Sequence, residues 1–270
     1  VSCATCHNPS LGWSDGLRTG VGIHGQVLKR GTPTVANTAF VTQLMWDGRH
    51  RTLEEQALGP MRASDEMASD LPAVLERLAS MPGYANRFRT AYPAEGVSER
   101  AVAKALAAFQ RTIVVADSPF DRWLAGDRKA LSLQAWRGYQ VFVDPKKGNC
   151  DVCHAAPAFT DNGFHNIGVR AVGDGDPGRF AVRKVASLRG AFKTPMLRDI
   201  ERTAPYFRDG SAATLLEVVE HYARGGDERS NLSPNIRPLV LSEQDKADLV
   251  VFMRSLTGES ASVAVPPLPR

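Results

Sequence analysis

The sequence contains no long hydrophobic run. Its most strongly apolar stretch, Leu249 to Met253, is only five residues long, against the roughly 20 that a membrane-spanning helix requires. A transmembrane segment is therefore not expected. Cysteine is scarce too, with four in 270 residues, which excludes a small fold stapled by disulfides. Aromatic residues make up 7% of the chain and no basic stripe is interleaved with them, so nucleic acid is not an expected partner. The net charge of +4 mildly favours an acidic protein partner. Alternating strand patterns flanking hairpin turns are also missing, which leaves helix as the dominant element.

What is present is concentrated. All four cysteines fall in two copies of one pentapeptide, Cys3-Ala4-Thr5-Cys6-His7 and Cys150-Asp151-Val152-Cys153-His154. Cys-x-x-Cys-His is the attachment sequence of c-type haem. Two thiols three positions apart on one helical turn can both form thioethers to a porphyrin edge, and the adjacent imidazole reaches the iron. Zinc could use two such cysteine pairs but would not require a histidine directly after each. A redox-active cysteine pair is expected once per domain beside a βαβ pattern, which is absent here. The reading is two covalent haems c, held by Cys3 and Cys6 and by Cys150 and Cys153, with His7 and His154 as proximal ligands. Haem is attached to reduced cysteines, in bacteria, on the exported side of the membrane. A periplasmic protein whose leader precedes Val1 is therefore expected.

The length suffices for two modest helical domains, each enclosing one haem. The fold class is accordingly mainly α, with two cytochrome c-like helical domains. Helices are predicted after Asp70 (Val74, Leu75, Leu78), after Ser98 (Val102, Leu106, Phe109, Ile113) and after Ser132 (Leu133, Trp136, Val143). Thr214 and Glu217 read as a capping box, and Gly225-Gly226 ends that helix. The last helix starts at Ser242 and buries Leu249, Phe252, Met253 and Leu256. We place an N-terminal haem domain at 1–128, a C-terminal haem domain at 129–259 and an extended tail at 260–270. Residues 162–180, rich in Gly, Asp and Asn, read as one long loop.

The chemistry of each iron depends on the ligand opposite its histidine. For the second haem the candidates are Met196, His221, Tyr222 and Met253. At about 100° per residue, Tyr222 shares the apolar stripe of Leu215, Val218 and Val219, while His221 points a quarter turn away, toward the rim. Met253 reads as an ordinary core residue, and Met196, in an irregular segment, stays open. Tyr222 itself is either an iron ligand or a core tyrosine. A methionine ligand would raise the reduction potential and suit electron transfer, whereas a phenolate would favour oxidised iron. For the first haem, His24 is the nearest possible distal ligand. The glycines around it allow it to sit on the iron or away from it.

Further segments carry a resemblance. These are Pro33-Thr34-Val35-Ala36-Asn37, Trp46-Asp47-Gly48-Arg49, Gln56, Gly59-Pro60 followed by Glu66-Met67, Phe164-His165-Asn166-Ile167-Gly168, Phe192-Lys193-Thr194-Pro195 and Thr203-Ala204-Pro205-Tyr206-Phe207. With the two pentapeptides, they make the chain resemble the bacterial di-haem cytochrome c peroxidase superfamily over nearly its whole length. The resemblance implies that hydrogen peroxide reacts at the first haem, that the second haem transfers electrons, and that Trp46 lies between them. It assigns Glu66 as the distal acid and base, and Gln56 and Pro60 as further residues of the distal pocket.

The peroxidase branch of that superfamily has methionine at the position matching Tyr222, and the MauG/MbnH branch has tyrosine. The resemblance thus implies Tyr222 on the second iron. It also implies that peroxide's two oxidising equivalents are held over both haems, in a bis-Fe(IV)-type state, and used on tryptophan side chains of a periplasmic partner. In MauG-like enzymes that matures a quinone cofactor of an amine dehydrogenase; in MbnH-like enzymes it converts a tryptophan of the copper-binding partner MbnP to kynurenine. The alternatives are a peroxidase drawing electrons from a small cytochrome or cupredoxin, and a plain di-haem electron carrier. Gly148 stands where MauG has a surface tryptophan, so an MbnH-like enzyme with another relay, such as Trp123 or Trp136, is the better match. Calcium is implied through the carbonyls of Thr203 and Pro205, since oxygen-rich ligation suits that ion. The family's asparagine contribution falls at Gly31, and His24 lies about one position from the distal histidine of the peroxidases.

Overall fold

Helix starts in this chain are written by side chains that accept a hydrogen bond from a free backbone N–H of the first turn. In the computed structural model, which describes residues 1–170, 175–260, 263 and 266–269, Ser98 accepts from Ala101, Ser132 from Ala135 and Thr214 from Glu217. The helices are α1 (Cys3–Cys6), α2 (Leu53–Arg62), α3 (Leu71–Ser80), α4 (Pro82–Ala91), α5 (Glu99–Thr112), α6 (Pro119–Leu124), α7 (Leu133–Val143), α8 (Phe180–Arg183), α9 (Leu215–Arg224) and α10 (Glu243–Arg254). Two antiparallel ribbons accompany them. β1 (Val115–Ala116) pairs with β4 (Glu259–Ser260), and β2 (Phe164–His165) pairs with β3 (Phe192–Lys193). Among the described residues no helix is long and apolar enough to cross a membrane.

The buried apolar residues divide unevenly. A large cluster brings Phe120 of α6, Val141 and Phe142 of α7, Leu215 and Val219 of α9, and Leu249 and Phe252 of α10 together around Phe159. The N-terminal half holds three small clusters: Trp13 with Ala36, Ile113 and Val115; Leu44 with Leu53 and Ala107; Leu58 with Leu71 and Ala103. Phe120, which precedes the linker expected near residue 128, packs into the C-terminal cluster and is 1% exposed. The β1–β4 ribbon ties the segment before α6 to the chain that follows α10.

Two local expectations are corrected. The loop expected over residues 162–180 contains β2, whose two residues are too few to produce an alternating pattern; residues 171–174 lie outside those described. At α9, the Glu217 carboxylate accepts from the Ala213 N–H at 2.6 Å, one residue further back than a capping box would place it. Of the tail expected over 260–270, Ser260 belongs to β4, and residues 261, 262, 264, 265 and 270 lie outside those described.

A candidate two-haem active site

The two pentapeptides open onto one cavity of about 1570 Å³, whose wall also contains Trp46, Gln56, Pro60, Glu66 and Tyr222. Sites for a single small ligand enclose roughly 300–1,000 Å³, so this space fits larger groups. Cys3 and Cys6 bound α1, Cys150 opens a 3₁₀ turn that Cys153 ends, and no disulfide engages them. Burial pushes the Cys150 thiol up to about 12 and the Cys153 thiol to about 11, which keeps both sulfurs neutral. His7 Nδ1 donates to the Trp13 carbonyl at 3.0 Å and His154 Nδ1 to the Phe159 carbonyl at 2.8 Å. Each bond fixes the tautomer that leaves Nε2 bare for a metal. Burial lowers the pKa of both imidazoles, which favours the neutral, ligating form. Thiol pairs, neutral histidines and a large shared cavity fit two c-type haems.

Glu66 reaches the cavity because α2 stops early. Pro60 lies inside that helix and has no N–H for the carbonyl four residues back. Ala63 caps the last turn through its bond to the Gly59 carbonyl, and the chain folds back: Glu66 N–H donates to Ala63, and Met67 N–H to Pro60. Burial raises the Glu66 carboxyl above its ordinary 4.5; the charge of Arg49 opposes the rise and that of Asp65 adds to it. Gln56 and Pro60 line the same wall. The glycine-rich run is tethered nearby, with Ile23 N–H donating to the Glu66 carbonyl at 2.7 Å. His24, however, is exposed, has a left-handed backbone (φ 58°) and does not line the cavity. The structure does not bring this possible distal ligand to the first haem site.

Trp46 is held at every polar atom that the structure pairs. Its Nε1 donates to the Gly31 carbonyl at 2.9 Å, and its own carbonyl accepts from Lys193 of β3 at 2.8 Å. The residues after it are clamped from the C-terminal half. Arg179 donates to the carbonyls of Asp47 and Gly48 and to Gln43, and lies over the Phe164 ring at 4.2 Å. Gly48, at φ 66°, leaves no room for a side chain, since a Cβ would stand 2.3 Å from Phe164. Asp47 bonds both Arg30 and Arg49, and Arg30 reaches on to Asp176. Sequence reasoning assigns no role to Arg30, Arg179 or Lys193, because their partners lie 17 to 147 positions away; the Trp46-Asp47-Gly48-Arg49 and Phe192-Lys193-Thr194-Pro195 segments marked the place without its contacts.

On α9 the apolar stripe resolves one way and the quarter turn beside it another. Tyr222, Val218 and Val219 line the cavity; burial, with lesser contributions from Cys150 and Cys153, raises the Tyr222 hydroxyl pKa. His221 does not lean to the rim. It is 3% exposed, donates from Nε2 to the Ile167 carbonyl at 2.8 Å and sets Nδ1 3.2 Å from Asp227. Its face is covered by the segment around Ile167 and by the Phe207 ring, which helical periodicity cannot foresee. Met196 and Met253 also line the cavity. Thr203, Pro205 and Gly31 share that wall, and a side chain at Gly31 would meet the carbonyl oxygens of Arg18, Arg208 and Phe207 at 3.2–3.9 Å.

With this geometry in place, comparison with known proteins is decisive. A sequence model described as di-haem cytochrome c peroxidase matches residues 1–129. Across all 270 residues the chain is 47% identical to the methylamine utilization protein MauG of Methylorubrum extorquens and spans 76% of that protein. The chain belongs to the di-haem cytochrome c peroxidase family. It is also 35% identical, over 272 aligned positions, to the cytochrome c551 peroxidase of Nitrosomonas europaea, spanning 78% of it. A solved MauG-like protein associated with microbial copper homeostasis superposes with a TM-score of 0.89 at 30% identity, over 96% of this chain and 84% of that one. The protein is thus a MauG-like di-haem oxidoreductase with a mainly α fold.

Proposed function

We propose that this enzyme works in the periplasm, using hydrogen peroxide to oxidise tryptophan side chains of a partner protein. The observation that carries the reading is Tyr222, which faces the cavity beside the second pentapeptide. When bound, the two haems supply the redox centres that together accept the two oxidising equivalents of one peroxide. The protein's own groups divide the remaining work. Glu66, in a partly desolvated position, takes a proton from the near oxygen of peroxide and returns it to the leaving one. Gln56 and Pro60 shape the space in which that transfer occurs. Trp46, pinned through Gly31 and Lys193, offers an oxidisable ring in the shared cavity. His7 would hold the first iron, and His154 and Tyr222 would hold the second. Carbonyl oxygens of Thr203 and Pro205, which line the same cavity, would hold a calcium ion, whose preference is for oxygen ligands.

Two relatives, one of methylamine utilization and one associated with copper homeostasis, suggest the partner's setting. A second reading, peroxide reduction with electrons from a small cytochrome or cupredoxin, draws on the likeness to the cytochrome c551 peroxidase. Mixing fully ferric holo-protein with one equivalent of peroxide separates the two. A perturbed two-haem spectrum that persists for seconds without a donor is the expected result. Steady turnover with reduced cytochrome c, at about 1–1,000 per second, without such a lasting state, would instead establish the peroxidase reading.

A further inference from the structure

Two of the chain's four tryptophans pack against each other with tilted rings. Trp123 in α6 and Trp136 in α7 have ring centroids 4.9 Å apart. Both are half-buried, and they are flanked by Leu124 and Leu133, which are 58% and 79% exposed. Behind them the contacts continue inward. Tyr139 lies 5.7 Å from Trp136, Phe120 lies 5.7 Å from Trp123, and Phe159 lies 5.5 Å from Phe120. Phe159 is fully buried, and its carbonyl accepts the Nδ1–H of His154 at 2.8 Å. A series of ring contacts, each within the range of aromatic pairs, therefore runs from the surface to Phe159, and one backbone hydrogen bond continues it to His154.

The order of residue types along this series is informative. The readily oxidised rings, two indoles and a phenol, stand at the outer end, and the phenyl rings, which hold no charge easily, stand at the inner end. Nearer the second pentapeptide an indole is sterically excluded: a side chain at Gly148 would meet the Val141 carbonyl at 2.5 Å and the Cys150 sulfur at 3.2 Å. Arg128 adds a bias. Its guanidinium lies 4.9 Å from the centre of the Trp123 ring, and a fixed cation disfavours positive charge on that ring relative to its neighbour.

We propose that the Trp123–Trp136 pair is the surface terminal of an electron path to the second haem, with Trp136 the preferred electron donor. The inference rests on the peroxide-driven reading above. With a donor protein docked, the donor loses the two electrons that peroxide demands. Without one, the pair loses them itself. One electron passes inward while the indole N–H proton goes to water. Loss of the second electron and addition of water to the ring, with release of its proton, give hydroxytryptophan. The sum is tryptophan plus hydrogen peroxide going to hydroxytryptophan plus water.

The test is peptide mapping by mass spectrometry of holo-protein given repeated single equivalents of peroxide without a donor. Added oxygen is expected at Trp136 first and Trp123 second, ahead of Trp13. In the double variant Trp123→Phe/Trp136→Phe that signal is lost and the oxidised haem spectrum decays more slowly. Arg128→Gln, a change at an exposed residue that leaves the core intact, should move added oxygen from Trp136 toward Trp123. Unmodified Trp123 and Trp136, an unchanged decay in the double variant, or an unchanged ratio in Arg128→Gln would each overturn the path. Any of these in a protein that still forms a lasting oxidised state would leave the proposed function standing. Failure of peroxide to form that state at all would overturn both.

Discussion

Glu66 and Tyr222 are common residue types to which the proposed function gives uncommon work. Replacing Glu66 with Gln removes the proton carrier but keeps size and polarity, so the reaction with peroxide should slow by about 10²–10⁴-fold with both haems still attached; stopped-flow spectra measure it. The pH dependence has a definite sign. Burial raises the Glu66 carboxyl above 4.5, so the basic form disappears as pH falls through that raised value. The acid limb of the peroxide reaction should therefore lie above the ordinary carboxylate range, and Glu66→Gln should abolish it. At this scale the sequence was legible where chemistry is local. The paired pentapeptides fixed four thiols and two imidazoles without any knowledge of the fold. His221 and His24 were not legible: Ile167, Asp227 and Phe207 cover one, and the turn through φ 58° carries the other outward.

Elements show the same division between near and far. Ser98, Ser132, Thr214 and Ser242 announce their helices because a cap and the N–H it accepts from lie within three residues. Thr214→Ala should thus cost about 1 kcal/mol, read from a denaturant midpoint, and should loosen the start of the helix that carries Tyr222. α6 is harder to read. It has six residues, and its place depends on contacts of Phe120 with Phe159 and Phe252, which come from distant parts of the chain. β2 and β3 are two residues each and exist because they pair with one another; no pattern that short stands out from loop sequence.

Across the whole molecule, the two halves meet through charge as well as through the cavity. Asp47, 4% exposed, is shared by Arg30 and Arg49, and Arg30 continues to Asp176 on the far side of the chain's midpoint. Burial alone would raise the Asp47 pKa, but the hydrogen bonds and charges of Arg30 and Arg49 outweigh it and hold the carboxyl below 3.8. Its contribution to stability is therefore complete above that value and is lost as pH falls through the lower folded pKa. Asp47→Asn should reduce the free energy of unfolding by about 3 kcal/mol, seen as a lower urea midpoint with an unchanged slope. The overall helical, two-haem plan was readable from the repeated pentapeptide and the chain length. The clamp on the Trp46 loop was not, since its arginines gain meaning only once the fold brings them to Asp47 and Gly48. On the proposed function the two haem sites differ in their ligands, and electron paramagnetic resonance of the resting, fully ferric holo-protein tests that difference most directly. The expected result is one high-spin signal from the His7 site and one low-spin signal from the His154 site, the latter alone altered by Tyr222→Phe. Two low-spin signals, or a low-spin signal that Tyr222→Phe leaves unaltered, would contradict it.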